Sequence, residues 1–268
     1  MATFSLYQVD AFTDSVFGGN PAAIVPLEQW LDDGLMQKIA KENNLSETAF
    51  FVPEPEGAEY DFHIRWFTPG AEVPLCGHAT LATAWVLFNR LGWNRDSLLL
   101  RSKSGPLGIT RKTGGWLELD FPNLAFEETA TPELVRKALP GAPATAFFVP
   151  SDTNYMLVLD NEAAVREAAP DMDALRALGN QGLIITAAGE KSDFVSRYFA
   201  PGFGIDEDPV TGSIHCVLTP YWAEKLARET LVAHQVSSRG GILKCTLNGD
   251  RVGIAGQVAF YMEGSIQV

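Results

Sequence analysis

A ten-residue segment occurs twice in this chain of 268 residues, and this repeat constrains the fold more than any other feature. The first copy is DFHIRWFTPG at 61–70, and the second is DFVSRYFAPG at 193–202. Asp, Phe, Arg, Phe, Pro and Gly coincide, and Trp66 matches Tyr198. Both copies alternate in hydrophobicity, which indicates a strand, and both end in a Pro-Gly turn.

The segments around the two copies also resemble each other. Downstream, LCGHATLATAWVLFNRLG (75–92) and VTGSIHCVLTPYWAEKLA (210–227) each predict a helix that follows a glycine. These helices are apolar nearly all round, which is typical of a helix wrapped by its own sheet. Upstream, 20–31 and 154–165 both read as a strand followed by the start of a helix. The repeat therefore predicts two similar α+β domains with pseudo-twofold symmetry, and a ligand site is most naturally expected between such domains.

Composition limits the classes of function. The chain is 46% hydrophobic and 20% charged, as in soluble globular proteins. The net charge of −13, without a Lys/Arg cluster, argues against a nucleic-acid partner. No apolar run approaches the ~20 residues that span a bilayer, and the start of the chain lacks the features of a signal peptide. We therefore expect a cytoplasmic protein with no membrane partner.

The sequence also lacks the spacings of common metal and cofactor sites. Three cysteines (Cys76, Cys216 and Cys245) are odd in number and far apart, so they predict no disulfide framework. There is no CxxC or HxxxH spacing, which argues against a metal site. The absence of GxGxxG and GxxxxGK[ST] lowers the odds of a nucleotide cofactor. We expect neither a metal nor a cofactor.

An acid stands where the pattern predicts a core. In NLSETAFFV (44–52), Glu47 heads an apolar run that predicts a buried strand. A glutamate entering a core usually marks a capped helix end, a buried ion pair or a proton-transfer group. Aligning 35–52 with 171–188 places Leu183 opposite Glu47. The repeat does not require an acid here, which favours a functional role.

Two glycines at predicted helix starts form the candidate binding positions. Gly77 with His78, and Gly212 with Ser213, begin apolar helices, where free N–H groups and the helix dipole attract an anion. We predict that these positions bind a substrate carboxylate. The simpler alternative is that Thr211 or Ser213 only caps its helix. A helix start tends to lower the pKa of His78, so a neutral imidazole is expected.

Other polar residues near these glycines are weaker candidates. Asp208 precedes a proline that favours an extended backbone, so its carboxylate could face a ligand, although most such acids are solvated. Ser213, His78 and Asp208 suggest a hydrolase triad, but no GxSxG elbow is present. His215 lies one turn deeper and is expected to be packed. Cys76 has no counterpart in the second half, which argues against a two-thiol mechanism.

Four ordered segments resemble a known family over nearly the whole chain. They are YQVDAFTDSVFGGNPAAIV, ENNLSETAFFV, RWFTPGAEVPLCGHATLA and DEDPVTGSIHC, and they are similar to the PhzF family of phenazine-biosynthesis-like isomerases. The resemblance implies a diaminopimelate epimerase-like α+β fold of two pseudo-symmetric domains, each a curled mixed sheet around a central helix. We expect the first domain at 1–123, joined by a C-terminal strand at 258–268, and the second at 124–257. Segment 121–134 is the expected linker.

The resemblance also implies roles for individual residues. Glu47 falls on the family's catalytic acid/base, and the matching substrate-contacting positions are His78, Asp208, Gly77, Gly212 and Ser213. A cofactor-free reaction and a homodimer are implied as well. The hypothesis is a cofactor-independent isomerase that moves a proton on a small cyclic or amino-acid-like carboxylate, with Glu47, His78 and Asp208 as catalytic residues.

Two alternatives remain open. One is a racemase or epimerase in which Glu47 opposes Asp208 as a second base. The other is a small-molecule-binding relative that has lost the chemistry, for which a collapsed cleft or a Glu47 paired with an arginine is expected.

Overall fold

The computed structural model describes residues 1–268. The first half of the chain contains β1 (Thr3–Ala11), β2 (Asn20–Pro26), α1 (Asp33–Asn43), β3 (Glu47–Pro53), β4 (Phe62–Phe67), β5 (Glu72–Val73), α2 (Gly77–Asn89), β6 (Ser97–Ser102), β7 (Gly105–Arg111) and β8 (Leu117–Pro122). The second half contains β9 (Glu127–Ala130), α3 (Glu133–Ala138), β10 (Thr145–Val149), β11 (Asn154–Val158), α4 (Glu162–Glu167), α5 (Met172–Arg176), β12 (Gly182–Ala188), β13 (Phe194–Ala200), β14 (Ile205–Asp208), α6 (His215–Leu226), β15 (Thr230–Gln235), β16 (Gly241–Asn248), β17 (Arg251–Gly256) and β18 (Val258–Gln267). None of the helices is long and apolar enough to cross a bilayer.

Strand pairing follows the same plan in both halves. In the first, β1–β2, β3–β4 and β6–β7 are antiparallel, whereas β2–β3 and β4–β6 are parallel. In the second, β10–β11, β12–β13 and β15–β16 are antiparallel, whereas β11–β12 and β13–β15 are parallel. The short strands β5 and β14 pair with β4 and β13. The internal repeat therefore reflects two α+β units of one topology.

The helix after each repeated segment forms the centre of its unit. Eleven residues of α2 are buried, and the helix contacts β1, β2, β3 and β18. Its small and unbranched residues suit both a helix and close packing. It begins after Cys76, which is extended, and Gly92, at φ +74, follows its last turn. In the second unit, α6 packs on β15 and β16.

Helix α1 covers the opposite face of the first sheet. Its buried residues Met36, Ile39 and Ala40 pack in one apolar cluster with Phe50 and Phe67 of the sheet. Burying a side chain of the size of methionine or phenylalanine contributes about 1.5–3 kcal/mol. The sheet therefore has an apolar layer on each face.

The repeated arginine makes the same ion pair in both units. Arg65 of β4 donates to both carboxylate oxygens of Glu72, at 2.8 and 2.9 Å. Arg197 of β13 does the same with Glu207, at 2.7 and 2.9 Å. Both pairs link the repeated strand to the short strand beside it. Bidentate geometry of this kind is specific to arginine.

The repeated aspartate also has one structural role in both units. Asp61 accepts a hydrogen bond from the Leu99 amide at 2.8 Å, and Asp193 accepts one from Val232 at 2.6 Å. Each bond ties the start of the repeated strand to the parallel strand beside it. The repeated polar residues are therefore explained by strand pairing rather than by a binding site.

Two compact units divide the chain near the expected boundaries. One comprises Met1–Asp120 with Ala255–Val268, and the other comprises Phe121–Ile254. The changes of unit fall inside β8 and β17, three residues before each expected boundary. The prediction of a linker at 121–134 is wrong, because this segment contains the end of β8, all of β9 and the start of α3.

Candidate active site

Glu47 is the first residue of β3 and lies inside the first unit. Strand β3 runs between β2 and β4, and Glu47 is the partner of Ala22 on β2. The residue is 8% exposed, and the five residues that follow it are also buried. The apolar run that predicts a buried strand therefore places the carboxylate at the strand's entry, away from bulk solvent.

The imidazole of His78 is the ionic partner of Glu47. Glu47 Oε2 lies 3.0 Å from His78 Nε2, and both residues are less than a tenth exposed. Neither atom has a hydrogen bond of acceptable geometry with any group of the protein. A buried ionic contact that leaves both atoms without a full hydrogen bond is costly unless a third group can satisfy them. The pair is therefore a buried contact whose hydrogen-bonding capacity the protein leaves unused.

Two further side chains approach the other ring nitrogen of His78. Cys76 Sγ lies 3.5 Å and Asn20 Nδ2 lies 3.2 Å from His78 Nδ1. Asn20 is fully buried, and its Oδ1 accepts a hydrogen bond from the Ser46 hydroxyl at 3.0 Å. Asn20 and Ser46 lie within two of the segments that resemble the family, but no sequence pattern predicted a role for either residue.

The charge of Glu47 reverses the expected effect of the helix start on His78. Burial lowers the pKa of the imidazole, but its contacts with Cys76 and Glu47 outweigh burial and raise it well above its ordinary value. For Cys76, burial and then the charge of Glu47 raise the thiol pKa to about 11, so the thiol is protonated at neutral pH. The prediction that the helix start lowers the pKa of His78 is therefore wrong, because the contact with Glu47 shifts it in the opposite direction.

The same three side chains have the composition of a metal site. One ligand atom each from Glu47, Cys76 and His78 lie within 4.8 Å of one another. However, the thiol faces Nδ1 while the carboxylate faces Nε2. The lone pairs of the two ring nitrogens point in divergent directions, so one ion cannot lie in line with both. In this orientation the cluster is better suited to proton transfer than to three-ligand metal binding.

Helix α2 begins directly at this cluster. Gly77 and His78 are its first two residues, and their N–H groups have no intrahelical acceptor because they lie in the first turn. The helix has no acidic residue in that turn and no side-chain cap. The positive end of the helix dipole is therefore unneutralised next to the buried ion pair.

Comparison with known proteins assigns the chain to a family. The sequence profile of phenazine biosynthesis-like proteins, the PhzC-PhzF family, matches residues 9–264. The chain is 47% identical over 264 residues to an uncharacterized isomerase of Pseudomonas aeruginosa, covering 98% of this chain and 99% of that protein. The chain belongs to the PhzC-PhzF family. The resemblance found in the motifs is confirmed, and the protein is an isomerase of this family.

Solved structures of the PhzC-PhzF family have the same fold. A phenazine biosynthesis protein of the PhzF family from Enterococcus faecalis is 44% identical, with a TM-score of 0.92 over 100% of both chains. A hydroxyproline epimerase from Agrobacterium vitis, 9% identical, shares the fold with a TM-score of 0.64 over 98% of this chain and 92% of that chain. The predicted epimerase-like α+β fold is confirmed.

Asp208 of this PhzC-PhzF member is held by its own turn. It is the last residue of β14 and is 9% exposed, and its carboxylate accepts a hydrogen bond from the Thr211 hydroxyl. Gln235 Nε2 donates to the Asp208 carbonyl at 2.9 Å, and Gln235 Oε1 accepts from the Thr211 amide at 2.8 Å. Asp208 is therefore not a solvated surface acid.

The second predicted helix start lies later than expected. Helix α6 begins at His215, and Gly212 and Ser213 form the turn before it. The His215 amide already donates to the Gly212 carbonyl at 3.0 Å, whereas no protein acceptor is found for the Gly212 and Ser213 amides. His215 is fully buried, packs on Phe194, and has its pKa lowered to about 4 by burial. It is the packed, neutral residue that its position predicts.

Strand register corrects the counterpart of Glu47 in the repeat. The repeated arginine lies opposite Phe50 of β3 and opposite Ile185 of β12. Counting back three residues from each gives Glu47 and Gly182. The alignment that places Leu183 opposite Glu47 is therefore wrong by one residue, which in a strand also means the wrong face.

No side chain fits at the corresponding position of the second unit. A Cβ atom on Gly182 would lie 2.4 Å from Asn154 Oδ1 and 2.5 Å from the Tyr198 hydroxyl. That hydroxyl donates to Asn154 Oδ1 at 3.0 Å, as does the Gly182 amide. In the second unit, the side chains of Asn154 and Tyr198 therefore occupy the place where the first unit has the Glu47 carboxylate.

Asp152 is an acid beside this filled position that sequence reasoning missed. Its Oδ2 accepts a hydrogen bond from Asn154 Nδ2 at 2.7 Å, and burial raises its pKa to about 6. No signal in the sequence marks it, because a Ser-Asp-Thr turn is typical of solvated loops.

The raised pKa of Asp152 predicts a pH-dependent gain in stability for Asp152→Asn. Between about pH 4 and 6 the folded chain holds a proton that the unfolded chain has lost, so stability falls as pH rises through this range. We expect Asp152→Asn to be more stable than the parent at pH 8, by at most about 3 kcal/mol, and similar at pH 4. Urea unfolding at both pH values measures this. Asp206→Asn, at an exposed acid, is the control, and an equal gain at both pH values would contradict the expectation.

Proposed function

We propose that the protein is a cofactor-independent isomerase that moves a proton on a small carboxylate-bearing molecule, with Glu47 as general acid and base. The observation that carries this proposal is the buried contact between Glu47 Oε2 and His78 Nε2, 3.0 Å apart, in which neither atom has a full hydrogen bond. The family's other members named isomerases support the reaction class. Glu47 pairs with a histidine and not with an arginine, and an arginine partner is one of the two features expected of a relative without chemistry.

The reaction conserves all atoms of the substrate. Glu47 removes a proton from a carbon next to a π-system, so that a C–H bond breaks, an O–H bond forms, and the electron pair enters the π-system. The same carboxyl group then returns the proton to another carbon on the same face. The His78 N–H stabilises the Glu47 carboxylate before the first transfer and after the second. Positioned proton transfer of this kind contributes about 10²–10⁴-fold to a rate.

The substrate's own carboxylate needs a local site, because a net charge of −13 provides no long-range attraction for an anion. We assign this role to the free N–H groups at Gly77 and His78, on the positive end of α2. The Gly212 and Ser213 amides are proposed to bind the substrate as well, and Asp208 to orient it. The unbonded amides of this turn support that assignment.

The proposed substrate class is a cyclic or amino-acid-like carboxylate. A hydroxyproline epimerase with the same fold has been solved with bound trans-4-hydroxy-L-proline, which is a small cyclic amino acid. Incubating such carboxylates with the protein in heavy water, followed by mass spectrometry, tests the proposal. Deuterium should enter at least one compound at a carbon near a π-system. A homodimer is proposed from the resemblance and a cytoplasmic location from the sequence features, and sedimentation and cell fractionation test them.

A racemase with two opposed bases is the second candidate, because the fold is shared with that epimerase. Asp208→Asn separates the two. In the isomerase, Asp208 only orients the substrate, so we expect a loss of about tenfold in deuterium exchange from either side of the equilibrium. In the racemase, exchange from one enantiomer should persist while exchange from the other is lost.

The thiol of Cys76 is not expected to act as a base. With its pKa raised to about 11, it remains protonated at neutral pH. We therefore expect Cys76→Ala to retain deuterium exchange within about tenfold of the parent rate at pH 7, since only packing beside His78 changes. Loss of exchange comparable to that of a general-base variant would favour a thiol mechanism instead.

A further inference from the structure

A buried amide sits against the imidazole at the centre of the site. Asn20 is fully buried, with Nδ2 3.2 Å from His78 Nδ1 and Oδ1 accepting from the Ser46 hydroxyl at 3.0 Å. Buried amides are placed where both of their ends can hydrogen bond. Asn20 comes from the start of β2 and Ser46 from the residue before β3, so two strands fix the orientation of the amide.

This orientation determines which ring nitrogen carries the proton. An amide nitrogen can only donate a hydrogen bond, so His78 Nδ1 must accept one. A neutral imidazole has one donor and one acceptor nitrogen, and its proton is therefore on Nε2. Nε2 is the nitrogen that lies 3.0 Å from Glu47 Oε2.

We propose that Asn20, oriented by Ser46, is a positioning residue that keeps the proton of neutral His78 on Nε2, facing Glu47. The inference rests on the proposed function, in which Glu47 exchanges protons with a substrate. With the proton on Nδ1, the ring would present a lone pair to the carboxylate, and the two would repel. Asn20 therefore disfavours the neutral imidazole that has its proton on Nδ1.

A charged His78 ring requires a different orientation of Asn20. The titratable groups in contact with the imidazole are Glu47 on β3 and Cys76 before α2. A charged ring carries a proton on Nδ1 as well, and the amide can accept it only by a half-turn that breaks the hydrogen bond from Ser46 to Oδ1. The Nε2 proton stays on the side of Glu47 in both charge states.

Nitrogen NMR of the unmodified protein tests the proposal directly. The chain has four histidines, so the His78 signals can be assigned in ¹⁵N-histidine-labelled protein by comparison with His78→Gln. In the neutral ring we expect Nε2 to show the shift of a protonated nitrogen and Nδ1 that of an acceptor. A proton on Nδ1, or rapid averaging between the two tautomers, would overturn the proposal.

Variants separate positioning from packing. Asn20→Asp keeps the shape but replaces the donor by an acceptor, so we expect the titration of His78 to move upward by about one pH unit or more. At a pH at which the parent ring is neutral, both ring nitrogens of the variant should therefore be protonated. Deuterium exchange should fall at least about tenfold. Asn43→Asp, at an amide that bonds Thr48 rather than the ring, is the matched control and should leave the His78 spectrum unchanged. An unchanged His78 spectrum in Asn20→Asp would contradict the proposal.

Two further results keep the proposal testable if Asn20→Asp does not fold or if the proposed function is wrong. If Asn20→Asp does not fold, Ser46→Ala should still shift the tautomer signals toward averaging, because the amide loses its anchor; unaltered signals would count against the proposal. The spectrum does not depend on turnover. The two proposals can therefore fail separately. If the parent protein shows the Nε2 tautomer but Glu47→Gln still exchanges protons, the proposed function is rejected and the role of Asn20 is not.

Discussion

Replacing Glu47 by glutamine is expected to abolish proton exchange while leaving the fold intact. The substitution keeps the shape of the side chain beside His78 but removes its ability to accept a proton, and the loss expected for a general base is about 10²–10⁴-fold. The rate is measured as deuterium incorporated from heavy water into a carboxylate that the parent protein turns over. Because the residue is 8% exposed, solvent is not positioned to replace it as the base.

Glu54→Gln is the matched control for this experiment. Glu54 directly follows β3, and its partner is Arg101 at 2.7 Å, away from the imidazole. The same chemical change there should leave exchange within about twofold of the parent. Exchange at the parent rate in Glu47→Gln, with a parental thermal midpoint, would reject the acid–base role.

Among the substitutions proposed for this protein, removal of Arg65 or Arg197 is expected to cause the largest loss in the free energy of unfolding. In Arg65→Met, Glu72 loses its bidentate partner, although Lys103 remains 2.5 Å from it. Arg65 and Glu72 are both largely buried, so we expect a loss of about 3 kcal/mol in the free energy of unfolding. Arg197→Met should cost at least as much, because its contact with Glu207 has the same geometry and its Nη1 also donates to three backbone carbonyls between Val165 and Ala168.

The pH dependence of this loss has a definite sign. Hydrogen bonding from Arg65, outweighing burial, lowers the pKa of Glu72 to about 2. A lowered carboxyl pKa stabilises the fold above the unfolded value near 4.5, and this stabilisation disappears as pH falls toward 2. Urea midpoints of Arg65→Met and the parent should therefore differ at pH 7 and converge near pH 2.5.

An exposed arginine provides the reference for that series. Arg101 is 49% exposed and pairs with Glu54, so Arg101→Met should cost less than about 1 kcal/mol. An equal cost for Arg65→Met and Arg101→Met would show that the repeated ion pair contributes nothing beyond a surface contact.

The fold was predictable where the sequence repeats. The strand, the Pro-Gly turn and the apolar helix recur because each unit solves the same packing problem, and α2 and α6 are each buried in their own unit. Segment 252–262 shows the limit of the pattern, since its alternation continues through a break that separates β17 from β18. A Cβ on Gly256 would lie 2.3 Å from the Phe12 ring. Such a close approach leaves no trace in the alternation of apolar and polar residues, so the sequence pattern does not reveal it.

The site was predictable only in part. Glu47 and His78 stand out because an acid heads an apolar run and an imidazole follows a helix-start glycine. That pattern did not predict the contact between them or the two side chains at His78 Nδ1. It also did not predict the raised pKa of the imidazole. Asn20 and Asp152 each look like ordinary turn residues in sequence.

The sequence by itself determined the local terms: two copies of one topology, helices apolar on all sides, and an acid at the entry of a buried strand. These follow from periodicity and composition, which act over a few residues. The tertiary structure alone decided the electrostatics, because the side chains in contact with His78 come from residues up to 58 positions away in the chain. It also decided the strand register that places Gly182, and not Leu183, where the other unit has Glu47, since register is set by pairing across strands.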